Sequence, residues 1–350
     1  MPTTPERVLV LHLGLHKTAS SYVQNLLAAR RSDLLAAGIL YPRTGTVEGR
    51  SSTRVGATSG HALFTRPQRV AGLMNKLRQE VTADTHTVLL SSEDFTLRRA
   101  ADPLQFRQLL SGFDRVKAVL VLRRQDEWLL SWYKQAVDQF ANDERRPFDV
   151  FLAEEGPTLL DFYTRFTPWR DLVGIDDFHV LSYDDLDGGA EICRRILEVA
   201  GAPRSLWPDD SQGDVARYDS IRAIDTLGLR ILNAYRVGSR DERIALARTI
   251  YGLRPPGDIE LLTPSIRAGI HQFCAPVNER IEREWFDHPV PGLRFGAVPP
   301  PPAAPPTSAD LVGYLDAVLA VCEAAEGRLV PEVEQQRRRL ASARATRSAR

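Results

Sequence analysis

Apolar residues run almost unbroken through RVLVLHLGL (Arg7–Leu15) and then recur every three or four positions in SYVQNLLAARRSDLLAAG. A continuous apolar run reads as a strand buried on both faces. The three-and-four spacing reads as an amphipathic helix, with Gly38 as a plausible C-cap and ILYP as a short second strand. Residues 43–66, rich in Gly, Ser, Thr and Arg, read as a long loop, and long loops in compact domains are often functional. A helix follows over Gln68–Val81. HTVLLSSED (His86–Asp94) predicts a third strand, DPLQFRQLLSGF a helix and VKAVLVLRR (Val116–Arg124) a fourth strand. DEWLLSWYKQAVDQFA predicts a long helix, FHVLSYDDL (Phe178–Leu186) a fifth strand and AEICRRILEVAG another helix.

Strands alternating with helices imply an α/β fold, a parallel β-sheet flanked by helices. After about residue 215 the strand pattern stops. SIRAIDTLGLRILNAY, RDERIALARTIY and PSIRAGIHQFCAPVNERIEREWF all have helical spacing, giving a helical C-terminal half. VPPPPAAPPTSAD (298–310) cannot continue a fold and reads as a linker. The expected organisation is one α/β domain over 1–297, the linker, and a C-terminal helix with a basic tail over 311–350.

Lysine and arginine balance aspartate and glutamate at 45 each, so net charge gives no reason to expect nucleic-acid or membrane binding. Any anion site must be local. The cysteines Cys193, Cys274 and Cys322 are too scattered for a disulfide framework or a metal site. No signal-peptide pattern is present and no uncharged run approaches the ~20 residues that span a bilayer. A cytoplasmic protein is the expectation.

Within LHLGLHKTASSYVQNLL (Leu11–Leu27), a strand gives way to Lys17 and small hydroxyl residues, and a helix then begins. A helix N-terminus has unpaired N–H groups and roughly half a positive charge. With Lys17, Thr18, Ser20 and Ser21 it makes a cradle for phosphate or sulfate. It is not the nucleotide loop G-x-x-x-x-G-K-[ST], since His16 and Leu11 stand at the glycine positions. The plainer alternative is a helix cap beside a surface lysine.

LGLHKTASSYVQ resembles the 5′-phosphosulfate loop of sulfotransferases that use 3′-phosphoadenosine 5′-phosphosulfate (PAPS). Ala19 stands where the family has glycine, and Ser20-Ser21 where it has two threonines. The resemblance implies a P-loop-like sulfotransferase fold. It implies that Lys17 stabilises the oxygen leaving sulfur and that Thr18, Ala19, Ser20 and Ser21 hold the 5′-phosphate. Tyr22 falls where some members place a ring on adenine; a packed helix residue is the alternative. Arg123 and Ser131, eight residues apart across the fourth strand's end, resemble the family's 3′-phosphate pair. That phosphate carries about two charges, which an arginine fork suits better than an ammonium. Arg123 is chosen over Arg124 by that spacing.

Glu93 closes the third strand, where glycan-modifying members have a glutamate acting as general base, although Asp94 replaces their following lysine. His61 in GATSGHALF is the rival base. His16 reads as a contact to acceptor or backbone, and His12 as a satisfied core residue. FCAPVNERIEREWF resembles the family's late Phe-x-x-Pro-x-Asn helix. The C-terminal basic-glycine clamp of cytosolic members is not recognisable, which points to the bacterial and glycan-type branch. The resulting expectation is sulfuryl transfer from PAPS, with no metal, to a hydroxyl of a carbohydrate or small metabolite. A kinase-like phosphotransferase and a non-catalytic anion-binding protein remain alternatives. Oligomeric state is not legible.

Overall fold

The computed structural model describes residues 6–51, 54–58, 60–96, 106–139, 143–208, 221–236, 238–285 and 305–327. Strand β1 (Val8–Leu13) lies at the centre of the main sheet because its residues are apolar on both faces. Leu9, Leu11 and Leu13 face one core layer, and Val10 faces the other. Helices α1 (Ser20–Ala29) and α2 (Arg31–Ala36) lead to β2 (Ile39–Leu40), only two residues long.

The 43–66 stretch is not an irregular loop. It contains a hairpin, β3 (Glu48–Ser51) against β4 (Arg54–Thr58), paired antiparallel. EGRS and RVGAT are short and hold only Val55 and Ala57 as apolar side chains, too little for a hydrophobic pattern to mark a strand pair. Helix α3 (Pro67–Glu80) then leads to β5 (Thr87–Ser92). Part of the helix expected in DPLQFRQLLSGF lies outside the described residues; α4 (Arg107–Leu110) is the described part. β6 (Arg115–Leu122), α5 (Gln125–Asp138), α6 (Phe148–Leu159), α7 (Phe162–Val173), β7 (Phe178–Ser182) and α8 (Gly188–Val199) complete the α/β half.

The main sheet has five strands in the order β2-β5-β1-β6-β7, and all its pairings are parallel. Helices cover both faces. This is the α/β class that the alternating pattern implies. The rest of the described chain is helical: α9 (Asp225–Tyr235), α10 (Arg240–Gly252), α11 (Pro264–Trp285) and a helix over 308–327. The last helix inserts Tyr314, Val318 and Cys322 into the larger core layer. Gly228 on α9 admits it, since a Cβ there would fall 2.5 Å from the Tyr314 hydroxyl. Residues 286–304, most of the expected linker, and the basic tail from 328 lie outside the described residues.

The register positions the chemistry. Leu13 pairs with Ser92 of β5 and with Leu120 of β6. One residue further on, Glu93 stands level with Gly14. Arg123 follows directly on the end of β6 at Leu122 and reaches the Lys17 carbonyl. The carboxyl ends of three adjacent strands therefore deliver a loop, a carboxylate and a guanidinium to one edge, where α/β sheets bind ligands.

Candidate functional site

The loop between β1 and α1 turns through two left-handed residues, Lys17 at φ 67° and Ala19 at φ 59°. Ala19 is also the residue that starts α1, and its side chain supplies no cap. A left-handed residue followed by a helical one folds consecutive backbone N–H groups into a concavity suited to an anion. The hydroxyls brace the loop from within. Thr18 Oγ1 donates to the Leu15 carbonyl at 2.6 Å, and Ser20 Oγ to the same oxygen at 3.3 Å. Thr18 and Ser20 are buried, whereas Lys17, Ala19 and Ser21 are half-buried. Tyr22 packs between α1 and α8, against Gly189, where a Cβ would fall 2.6 Å from its ring.

Glu93 opens a single 3-10 turn, Glu93–Thr96, directly after β5. Thr96 Oγ1 donates to the Gly14 carbonyl at 3.0 Å, and the Gly14 amide donates to Ser92 O at 3.2 Å, so turn and loop are stapled together. Gly14 is what allows the approach. A Cβ there would lie 2.9 Å from Ser20 Oγ and 3.3 Å from the Glu93 stem. The Glu93 carboxylate lies 3.4 Å from His16 Nε2, with both side chains largely out of solvent.

Arg123 and Arg124 diverge. Arg123 Nη1 donates to the Lys17 carbonyl at 3.0 Å, and its guanidinium lies 5.1 Å above the Tyr183 ring. Its Nε is buried with no hydrogen-bond partner among the described residues. Arg124 is buried in a fork on Asp126, with contacts of 2.9 and 2.7 Å. Asp126 also accepts from Arg267 at 2.5 Å and contacts His271 at 3.0 Å, which ties α5 to α11. Burial alone would push the Asp126 carboxyl up. Hydrogen bonds from Arg124 and the Glu127 amide, with the charges of Arg124 and Arg267, hold it at about 2 instead. Ser131 is half-buried on α5, two turns beyond Arg123.

His61 is not brought to this edge as a usable base. It is fully buried, and burial lowers its imidazole to about 4. The Ser91 amide donates to Nδ1 at 3.0 Å, so the ring proton sits on Nε2, which donates to the Pro42 carbonyl at 2.9 Å. Both nitrogens are engaged by backbone, which leaves none for an acceptor. His12 is likewise buried, is lowered to about 4 by burial, and uses Nδ1 on Ser91 Oγ at 2.8 Å. Its Nε2 has no partner among the described residues, so the core reading is met by one nitrogen only.

Sequence reasoning missed the closeness of His16 to Glu93, the Tyr183 face under Arg123, and the indoles behind the loop. Trp128 Nε1 donates to the His16 carbonyl at 2.9 Å, and Trp132 packs edge-on to the His16 ring at 4.6 Å. Strand register was the available signal, but it is fixed only once the strands are paired. A cavity of about 330 Å³ lies at the opposite end of the strands, lined by Arg7, Leu77, His86 and Phe113 among others. It does not include the loop. Among the described residues no helix is long and apolar enough to cross a membrane.

No family model matches the chain. Over 204 residues it is 27% identical to an uncharacterized protein of Archaeoglobus fulgidus, covering 57% of this chain and 54% of that protein. The chain thus spans about half the length of the curated relative it matches. Among solved structures, a sulfotransferase from Alicyclobacillus acidocaldarius aligns with a TM-score of 0.45 and 13% identity, over 81% of this chain and 96% of that one.

Proposed function

We propose that the chain is a sulfotransferase that moves the sulfuryl group of PAPS to a hydroxyl acceptor, a carbohydrate or small hydroxylated metabolite. The observation that carries this reading is the convergence of the Gly14–Ser20 loop, Glu93 and Arg123 at one sheet edge. One detail fits the 3′-phosphate of such a nucleotide: Arg123 keeps a buried N–H with no hydrogen-bond partner among the described residues.

In this reading the Thr18–Ser21 amides bind the 5′-phosphate. Lys17 supplies the charge that stabilises its leaving oxygen, and Arg123 with Ser131 binds the 3′-phosphate. PAPS, when bound, supplies the sulfuryl group: sulfur gains a bond to the acceptor oxygen and loses its bond to the bridging oxygen, whose electron pair stays on the 5′-phosphate. The acceptor proton passes to Glu93. Such a loose transition state needs positioning and charge stabilisation more than covalent help. Glu93 is preferred to His61 because its carboxylate lies at the loop, whereas His61 is sealed by backbone.

The test is Glu93→Gln, measured as formation of 3′-phosphoadenosine 5′-phosphate (PAP) from PAPS with a panel of sugars and phenols. Turnover is expected to fall by ~10²-fold or more while PAP affinity holds. Turnover near wild type would remove Glu93 as base.

A further inference from the structure

We propose that His16 is the positioning partner of Glu93, so that imidazole and carboxylate work as one proton-handling pair; the proposal rests on the sulfotransferase reading. A glutamate base on a short turn has several free side-chain torsions, and a base must be held close to its productive geometry to be effective. Here the holding group is visible. His16 Nε2 faces the Glu93 carboxylate at 3.4 Å, and the two side chains are only 11% and 16% exposed.

The imidazole is itself fixed. Trp132 packs against its ring at 4.6 Å, with the planes 63° apart. Trp132 stacks on Trp128 with the planes 4° apart, and the Trp128 indole holds the His16 carbonyl at 2.9 Å. Helix α5 thus pins both the ring and the backbone of the residue just before Lys17. A contact with an indole needs no polar atom and a phenyl ring would serve it. What a phenyl ring lacks is a nitrogen within reach of Glu93, and Nε2 lies 3.4 Å from its carboxylate. A separation of 3.4 Å is longer than a tight hydrogen bond, as catalytic contacts often are before ligand binds.

In the proposed step His16 stays neutral and donates Nε2–H to one carboxylate oxygen. The other oxygen takes the acceptor proton as the acceptor oxygen bonds to sulfur, and the pair ends as a carboxylic acid beside neutral imidazole. No further reactant is needed. His16 touches neither donor nor acceptor in this scheme and acts through Glu93.

The test is a variant series, His16→Gln, His16→Asn and His16→Ala, alone and with Glu93→Gln. PAP formation from PAPS is followed with the sugar and phenol panel, and PAP binding by calorimetry. A glutamine amide can reach the Nε2 position and donate, whereas asparagine is too short. The expected result is kcat within about 5-fold of wild type for Gln and losses of about 10- to 100-fold for Asn and Ala, with PAP affinity unchanged throughout. On the Glu93→Gln background the His16 losses should vanish, because coupled residues are not additive. Wild-type kcat in His16→Ala, equal losses in Gln and Asn, or additive losses in the double variant would overturn the pairing while leaving the sulfotransferase reading intact. A wild-type chain that binds PAP but forms none from PAPS would overturn the catalytic reading and the pair with it.

Discussion

Ala19 holds φ 59° at the start of α1, a conformation that costs a residue with a Cβ about 1 kcal/mol relative to glycine. Ala19→Gly is therefore expected to leave stability unchanged or raise it by up to about 1 kcal/mol, the relieved strain being partly offset by the freer unfolded chain. Ala19→Val, β-branched in the same conformation, is expected to lower stability by about 1–2 kcal/mol. Urea unfolding of the two variants checks both signs, and stabilisation by valine would contradict the left-handed turn. The oddity was legible in the sequence, where Ala19, two residues after Lys17, stands in place of the glycine that the resemblance expects. His61 was not legible in the same way. A histidine between glycine-rich and apolar residues has no mark to show that Ser91 and Pro42 will engage both its nitrogens.

Among elements, the strands of the main sheet were read most directly, because burial on both faces leaves an apolar run that few other structures produce. Helices α6 and α7 were not read at all, and each carries an internal proline, Pro157 and Pro168, that interrupts the usual pattern. The hairpin of β3 and β4 escaped because EGRS and RVGAT are short and rich in polar residues and glycine. Helix α5 holds the choice between Arg123 and Arg124, which alternation could not settle since both lie beyond the end of β6. Spacing selected Arg123, and it is Arg123 that touches the loop, while Arg124 is committed to Asp126. Whether Arg123 binds phosphate is a matter for the binding measurement. The Asp126 cluster makes its own prediction. Removing this carboxylate takes away the fork that holds the buried Arg124 and the contact with Arg267, so Asp126→Ala is expected to cost about 3–5 kcal/mol in urea unfolding. A loss below 1 kcal/mol would show that α5 and α11 do not depend on it.

The whole molecule has no net charge to draw an anion from a distance, so its affinity for one must come from the local geometry at the sheet edge. Its stability should nonetheless respond to acid. His12 and His61 have folded-state values of about 4 against an ordinary 6.5, because burial disfavours their charged forms. Above pH 6.5 neither folded nor unfolded chain protonates them and no penalty exists. Between 6.5 and 4 the unfolded chain takes up protons that the folded one refuses, so stability falls as pH falls. At pH 5 the loss is about 2 kcal/mol for each histidine relative to pH 7. Asp126 does not contribute in that window, since its stabilisation is lost only below its ordinary 3.8. Urea unfolding at pH 7 and pH 5 checks this, with His61→Gln expected to remove about half of the dependence. A flat profile would contradict the burial of both rings. The central claim is that the loop and Arg123 together hold a nucleotide bearing 5′- and 3′-phosphates, and calorimetric titration with PAP tests it most directly. Binding at micromolar PAP is expected, and its loss in the Lys17→Ala, Arg123→Ala double variant. No binding at tens of micromolar, or binding that survives both substitutions, would contradict it.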